Sequence, residues 1–360
     1  MTKPMSIYLD LVRFVAAMMV FHNHLAYERH GGGWLKPWGT FGNDAVMVFF
    51  VLSGFVIGYV ASKSDATLES FAVRRTSRLW SVVLPALVVT VILDQIGSRI
   101  DPALYDGWWY AGDQPVWRFA ANLFFVNQLW FENVRAFSNG PFWSIGYEFW
   151  YYVAFAAWFF VAPRWRWLSI GAVLAIMGPR LALLLPIWVL GVLVFRLCGR
   201  WTPNELLGWL LFVGSMAGFV AYRYFEVSDG LLDWTYATWG KESVRAFCAG
   251  YTERFLGDYV MGLLVALNFL GFHAVQGRLA AGLERFAPPI RLAAGYTFAI
   301  YLFHYPLLMF FNAMFGDDPM LLFPLTCIGI LVCGEFSERR KDSYRRVVRG
   351  GVDWIKGLRG

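Results

Sequence analysis

Charge is what this sequence has least of. Only 16% of its 360 residues are Asp, Glu, Lys or Arg, while 58% are apolar and the mean hydropathy is +0.49. A soluble domain carries about 25% charged residues, so a water-solvated globule is excluded and lipid is the solvent for most of the chain. The four cysteines, Cys198, Cys248, Cys327 and Cys333, form no CxxC and pair with no histidine in sequence. They read as small apolar helix residues, and no metal is expected. Linkers, internal repeats and a soluble stretch long enough for a second domain are also missing. The reading is one membrane-embedded unit over 1–336 with a basic tail over 337–360. The net charge of +6 gathers in connecting segments and that tail. This is a topological pattern, and no nucleic-acid partner is expected.

What is present is a succession of apolar runs rich in aromatics, which make up 19% of the chain with 18 Trp. A crossing helix needs about 20 mostly apolar residues, and Trp and Tyr collect where such runs meet water. The runs predict an all-α, polytopic membrane protein of about ten transmembrane helices, over 5–26, 44–61, 79–97, 142–162, 167–178, 180–198, 205–222, 254–272, 292–314 and 320–335. An eleventh stretch, 116–130, carries Arg118, Asn122, Asn127 and Gln128 and reads as a re-entrant segment buried in protein. Lys and Arg favour cytoplasmic loops. The tail holds Arg339, Arg340, Lys341, Arg345, Arg346, Arg349, Lys356 and Arg359, and the second connection is flanked by Lys63 and Arg74, Arg75 and Arg78. Both termini are therefore expected inside, with 223–253 a loop outside and 273–291 a loop inside. The first helix lacks a small-residue cleavage site and reads as retained.

Ionisable groups inside spans are costly and so are candidates for function. In the first span Asp10, Arg13, His22 and His24 stand in LDLVRFVAAMMVFHNH. Arg13 and His24 are eleven residues apart, about 16 Å of rise and about 20° out of phase, whereas His22 points about 160° from His24. Arg13 and His24 thus share a face. At the start of the third span, Arg75 and Arg78 are an i, i+3 pair beside Arg74. They serve either as a positive-inside signal or as a bidentate phosphate clamp. Ser144 and Glu148, one turn apart in GPFWSIGYEFWYY, place a carboxylate among Trp143 and its aromatic neighbours, which requires a partner or a proton. In YLFHYPL, Tyr301, His304 and Tyr305 share one side of a helix that Pro306 is expected to bend by freeing a backbone carbonyl. His304 reads as packing or catalytic.

Taken in order and spacing, LDLVRFVAAMMVFHNH, FFVLSGFVIGYV, FAVRRTSRLW and GPFWSIGYEFWYY resemble the membrane acyltransferase-3 family, which includes bacterial O-acetyltransferases of cell-surface polysaccharides and antibiotics. The late YLFHYPL adds to the likeness, which covers nearly the whole chain. The family's Arg-ten-residues-His pattern falls on Arg13 and His24, its arginine pair on Arg75 and Arg78, and its Trp-Ser motif with a following Glu on Trp143, Ser144 and Glu148. The resemblance implies a catalytic His24, arginines that hold an acyl-CoA donor such as acetyl-CoA, and a place in the bacterial inner membrane. It also departs from the family: Phe14 stands where a glycine usually follows the arginine. No esterase-like extracytoplasmic domain follows the spans either, so the chain reads as a stand-alone member.

The expected activity is transfer of an acyl group, acetyl by resemblance, from cytoplasmic acyl-CoA to a hydroxyl of a carbohydrate or glycolipid acceptor outside. His24 acts as general base or nucleophile, Glu148 orients it, and Arg13 stabilises negative charge along the path. Direct transfer and an acyl-enzyme both stay open. The competing class is a transporter or flippase of a lipid-linked sugar. Such a protein more often shows two corresponding halves with interrupted helices, and this sequence shows no such symmetry. A purely structural subunit would leave the charges within the spans without purpose.

Overall fold

A computed structural model describes residues 1–39, 41–63, 67–248 and 250–357; Arg359 lies outside them. The described residues are helices and turns, with no β-strand among them. Helix α1 (Lys3–Leu25) starts at Thr2, whose hydroxyl accepts from the Met5 amide, with Pro4 in the first turn. Pro fits there because those amides have no helical partner. Then follow α2 (Gly42–Lys63), α3 (Leu68–Ile100), the short α4 (Pro115–Leu123), α5 (Trp143–Phe160), α6 (Pro163–Met177), α7 (Pro179–Cys198) and α8 (Glu205–Tyr224). The rest comprises α9 (Val227–Trp239), α10 (Lys241–Cys248), α11 (Phe255–Arg285), α12 (Ala287–Ala294), α13 (Thr297–Phe315), α14 (Pro319–Phe336) and α15 (Lys341–Gly357). Eight of these are long and apolar enough to cross a membrane: α1, α2, α3, α7, α8, α11, α13 and the helix that begins at Pro319. The fold is an all-α polytopic membrane architecture.

The expected spans fall on helices, but 142–162 and 167–178 (α5 and α6) are not among these eight, 292–314 is broken at Gly295 and Tyr296 between α12 and α13, and several boundaries differ. Helix α3 has 33 residues, about 50 Å at 1.5 Å per residue, against a hydrocarbon core of about 30 Å. It starts eleven residues before the apolar run at 79, behind a Thr67–Ser70 capping box. Arg74, Arg75 and Arg78 therefore ride on the helix itself. Helix α11, with 31 residues, carries Arg278 and Arg285 beyond its apolar run in the same way. The expected outer loop 223–253 is mostly the helices α9 and α10, and 273–291 is mostly helical too. Hydropathy finds the lipid-facing part of a helix, not its polar extensions.

The stretch 116–130 forms no spanning helix, and it is only partly buried: Asn122, Asn127 and Gln128 are enclosed while Val116, Trp117, Phe124 and Trp130 are exposed. Its helix α4 has nine residues, and the chain then runs irregularly to 142. This irregular backbone is satisfied by side chains, as burial demands. Asn122 donates to the Val134 carbonyl at 3.1 Å, and Asp94 of α3 accepts from the Ser138 amide (2.9 Å) and hydroxyl (2.7 Å). Asn139 donates to the Leu302 carbonyl at 2.8 Å. Pro306, four residues on, leaves that carbonyl without its helical donor.

At the centre α2 crosses α7 on a glycine pair. A Cβ at Gly54 would lie 1.9 Å from the Trp188 carbonyl oxygen, and one at Gly191 1.9 Å from that of Val51. Small residues let helix backbones meet where lipid supplies no hydrophobic drive. Helices α1, α2, α3, α5 and α13 then surround a line of cavities.

Candidate active site

Three cavities follow one another along the bundle. The first, about 1070 Å³, is lined by Asp10 and Arg13 of α1, Arg74, Arg75 and Arg78 of α3, Arg291, Phe298, and Glu338, Lys341, Asp342 and Arg345 of the C-terminal segment. The second, about 620 Å³, shares Arg13, Arg75, Arg78 and Phe298 with it and adds Ser53, Ser144, Glu148, Tyr152 and Tyr301. The third, about 740 Å³, shares Tyr301 with the second and adds His24, Arg29, Arg135, Trp143, Tyr251 and Tyr305. The order is the same on each helix. Along α1 it is Asp10, Arg13, His24; along α13 it is Phe298, Tyr301, Tyr305. The cavities therefore form one file from an arginine end to a histidine end.

The arginine end is strongly cationic, with seven basic side chains (Arg13, Arg74, Arg75, Arg78, Arg291, Lys341, Arg345) against three acidic ones (Asp10, Glu338, Asp342). Asp10 pairs with Arg13 at 3.7 Å. Arg75 is buried near Phe71 and Arg78 lies 5.4 Å from the Phe298 ring centre. Both reach the central cavity as well, whereas Arg74 reaches only the first. The segment after 336 folds back here: Glu338 accepts from the Ala299 amide at 3.0 Å. Burial pushes its carboxyl up to about 7 against the pull of that amide and of Arg78 and Arg13.

In the central cavity Glu148 accepts from Ser53 at 3.0 Å and from Tyr152, and Ser53 in turn accepts from the Trp188 indole at 3.2 Å. Ser144 shares a 2.6 Å hydrogen bond with Tyr301, whose hydroxyl also donates to the Pro141 carbonyl at 3.0 Å. The expectation that Glu148 orients His24 is corrected. Glu148 sits one turn along α5 from Ser144, in a different cavity from His24, and its Oε1 accepts from Ser53 and Tyr152. The partner of His24 is His304, with Nδ1 of the first 2.9 Å from Nε2 of the second.

At the histidine end, Trp143 stacks on Tyr251 at 4.6 Å. Arg29 donates to the Tyr305 hydroxyl at 2.7 Å and lies 4.2 Å from the Trp109 ring centre. His30, wholly buried behind Tyr305, is pushed down to about 3 by burial and by Arg29. His22 lines a separate apolar cleft with Phe14, Met18 and Phe219, on the face opposite His24, as the helical phase requires.

The structure thus brings together His24, Arg13, Ser144, Glu148, Arg74, Arg75, Arg78, Asp10, Trp143 and Tyr301 along one file, with His304 buried behind His24. Sequence reasoning missed Ser53, Tyr152, Arg29, Arg135 and the C-terminal Glu338, Lys341 and Arg345. Ser53 was within reach, as the only Ser or Thr in FFVLSGFVIGYV. Arg29 and Arg135 lie in connections, where a charge raises no flag.

The fold and its file of cavities define an all-α polytopic membrane protein with polar groups held between its helices. The family described as "Acyltransferase domain", of the acyltransferase-3 type, matches residues 6–334, and the chain belongs to it. Over 155 residues the chain is 30% identical to a protein named acyltransferase MdmB of Streptomyces mycarofaciens, covering 41% of this chain and 38% of that one. Over 85 residues it is 33% identical to an O-acetyl transferase of Shigella phage Sf6, covering 23% of this chain and 25% of the phage protein. The chain thus matches well under half the length of either relative. No solved structure matches it at a significant level.

Proposed function

We propose that this membrane acyltransferase takes an acyl group, acetyl in the first instance, from cytoplasmic acyl-CoA and delivers it to a hydroxyl of a carbohydrate or glycolipid acceptor at the other membrane face. The observation that carries the reading is the file of cavities, polycationic at one end and histidine-bearing at the other. Guanidiniums suit the phosphates of coenzyme A. The central cavity, walled by Phe49, Phe50, Leu52, Val56 and Ile57 with hydroxyls, Glu148 and the shared arginines between them, suits an extended pantetheine arm. Between Arg13 and His24 the first helix rises about 16 Å, the distance over which the arm would carry its thioester. Aromatic walls with a few polar groups at the histidine end suit a sugar ring. The phage relative's name, O-acetyl transferase, supports acetyl as the group moved.

In the proposed step His24 takes the proton of the acceptor hydroxyl as the oxygen attacks the thioester carbonyl carbon. The carbon–sulfur bond breaks, the new ester forms, and the proton passes from His24 to the leaving thiolate. Tyr301, which lines both the central and the histidine cavities, marks where the thioester would meet His24. The test is purified protein in liposomes given radiolabelled acetyl-CoA and a hexose-bearing glycolipid. Label on the sugar with release of CoA is expected. Sugar crossing the bilayer unmodified, with no CoA released, would overturn the proposal in favour of a flippase.

A further inference from the structure

We infer that His304 is the positioning residue of the site: it fixes which nitrogen of His24 carries the proton, so that Nε2 of His24 faces the acceptor hydroxyl as a bare lone pair. The argument runs along a chain of hydrogen bonds. His304 Nδ1 lies 2.8 Å from the Ile300 carbonyl oxygen. A carbonyl can only accept, so Nδ1 of His304 carries the hydrogen. A neutral imidazole has one N–H, which leaves Nε2 of His304 an acceptor. That nitrogen lies 2.9 Å from His24 Nδ1, which must then donate. With Nδ1 protonated, Nε2 is the basic atom left to the cavity.

The surroundings hold this arrangement. His304 is wholly buried. Tyr27 and Tyr305 meet the His24 ring edge-on, at 5.2 and 4.9 Å between centroids. Asn139 ties down Leu302, so the turn that bears His304 keeps its register despite Pro306. The reversed tautomer would set two lone pairs against each other at the Ile300 carbonyl. A neutral imidazole partner also differs from a carboxylate in its consequence. It orients His24 without adding a negative charge that would hold a proton there. A base that must pass its proton on to a thiolate gains from that.

This inference rests on the acyl-transfer reading, so its test has one arm that needs no substrate. In the full chain, 15N-histidine-labelled and reconstituted in liposomes, solid-state NMR should find His24 and His304 protonated at Nδ1 and bare at Nε2. A nitrogen–nitrogen correlation should join His24 Nδ1 to His304 Nε2. Protonation at Nε2 on either ring would overturn the inference even if transfer were demonstrated. The second arm is kinetic. His304→Leu should lower kcat by about 10²–10⁴-fold, the scale of a misoriented or mis-protonated base, with KM for acetyl-CoA unchanged. His304→Gln, whose Oε1 accepts the same bond, should recover at least about tenfold of that loss. Equal losses in two well-expressed variants would reduce His304 to packing. Wild-type protein inactive on acetyl-CoA but showing the NMR pattern would remove the functional reading and leave the tautomer.

Discussion

The two ends of the cavity file are built on opposite principles. The arginine end gathers seven cations from four parts of the chain: α1, α3, α12 and the C-terminal segment. Any one of them is backed by neighbours, and their reach is long. The histidine end works through short directed bonds, His24 to His304 and Arg29 to Tyr305. A field made by many charges degrades gradually, whereas a chain of directed hydrogen bonds fails at its first missing link. Capture of a polyanion and abstraction of one proton ask for these two kinds of site.

The comparison breaks most completely if the ends do not face opposite compartments. A single cysteine in the tail, in a background lacking Cys198, Cys248, Cys327 and Cys333, should stay unlabelled by an impermeant thiol reagent in intact cells, and one near Trp108 should label. Labelled tails in sealed cells would place the arginine end outside and end the acyl-CoA reading. Next in size is His24→Ala, which should lower transfer by about 10²–10⁴-fold or more while acetyl-CoA binding persists. His22→Ala, on the opposite face, should keep most of its turnover. Dead His22→Ala with active His24→Ala would reverse the assignment. A graded response is expected at the other end. Arg75→Ala or Arg78→Ala should each raise the KM for acetyl-CoA by about ten- to a hundredfold, from about 1.5–3 kcal/mol per lost charge-assisted bond. Arg74→Ala should do less, because Arg74 lines only the first cavity.

The smallest effect concerns pH. Glu338 is pushed up to about 7 by burial, opposed by the Ala299 amide, Arg78, Arg13 and Lys341. Below that pH it is neutral and leaves the cations unopposed. Above it, its charge offsets one of them. The KM for acetyl-CoA should therefore rise a few-fold between pH 6 and pH 8, and Glu338→Gln should flatten that part of the profile. For stability the sign follows from linkage: a raised carboxyl stabilises the fold below its ordinary value of about 4.5, and that contribution is lost as pH rises through about 7. A variant as pH-dependent as wild type would place Glu338 outside the donor's field.

What could be read from the sequence was whatever one helix determines alone. Long apolar runs set the fold class, because lipid permits only backbones that satisfy themselves. The phase of Arg13, His22 and His24 follows from 3.6 residues per turn, and the structure keeps it. Polar extensions of α3 and α11 were hidden because hydropathy registers lipid and not helix. The tertiary structure decided which costly groups meet. His24 and His304 stand 280 residues apart in the chain, and no local pattern pairs them. Glu148 was assigned to His24 by analogy with catalytic triads, yet α2 brings Ser53 to the carboxylate. The tail read as a positive-inside signal, and only its fold-back along α3 makes Lys341 and Arg345 part of the wall of the arginine cavity. Periodicity is written within a helix, whereas which helices become neighbours depends on the shapes of faces, such as the Gly54–Gly191 crossing, that the packed bundle alone brings together.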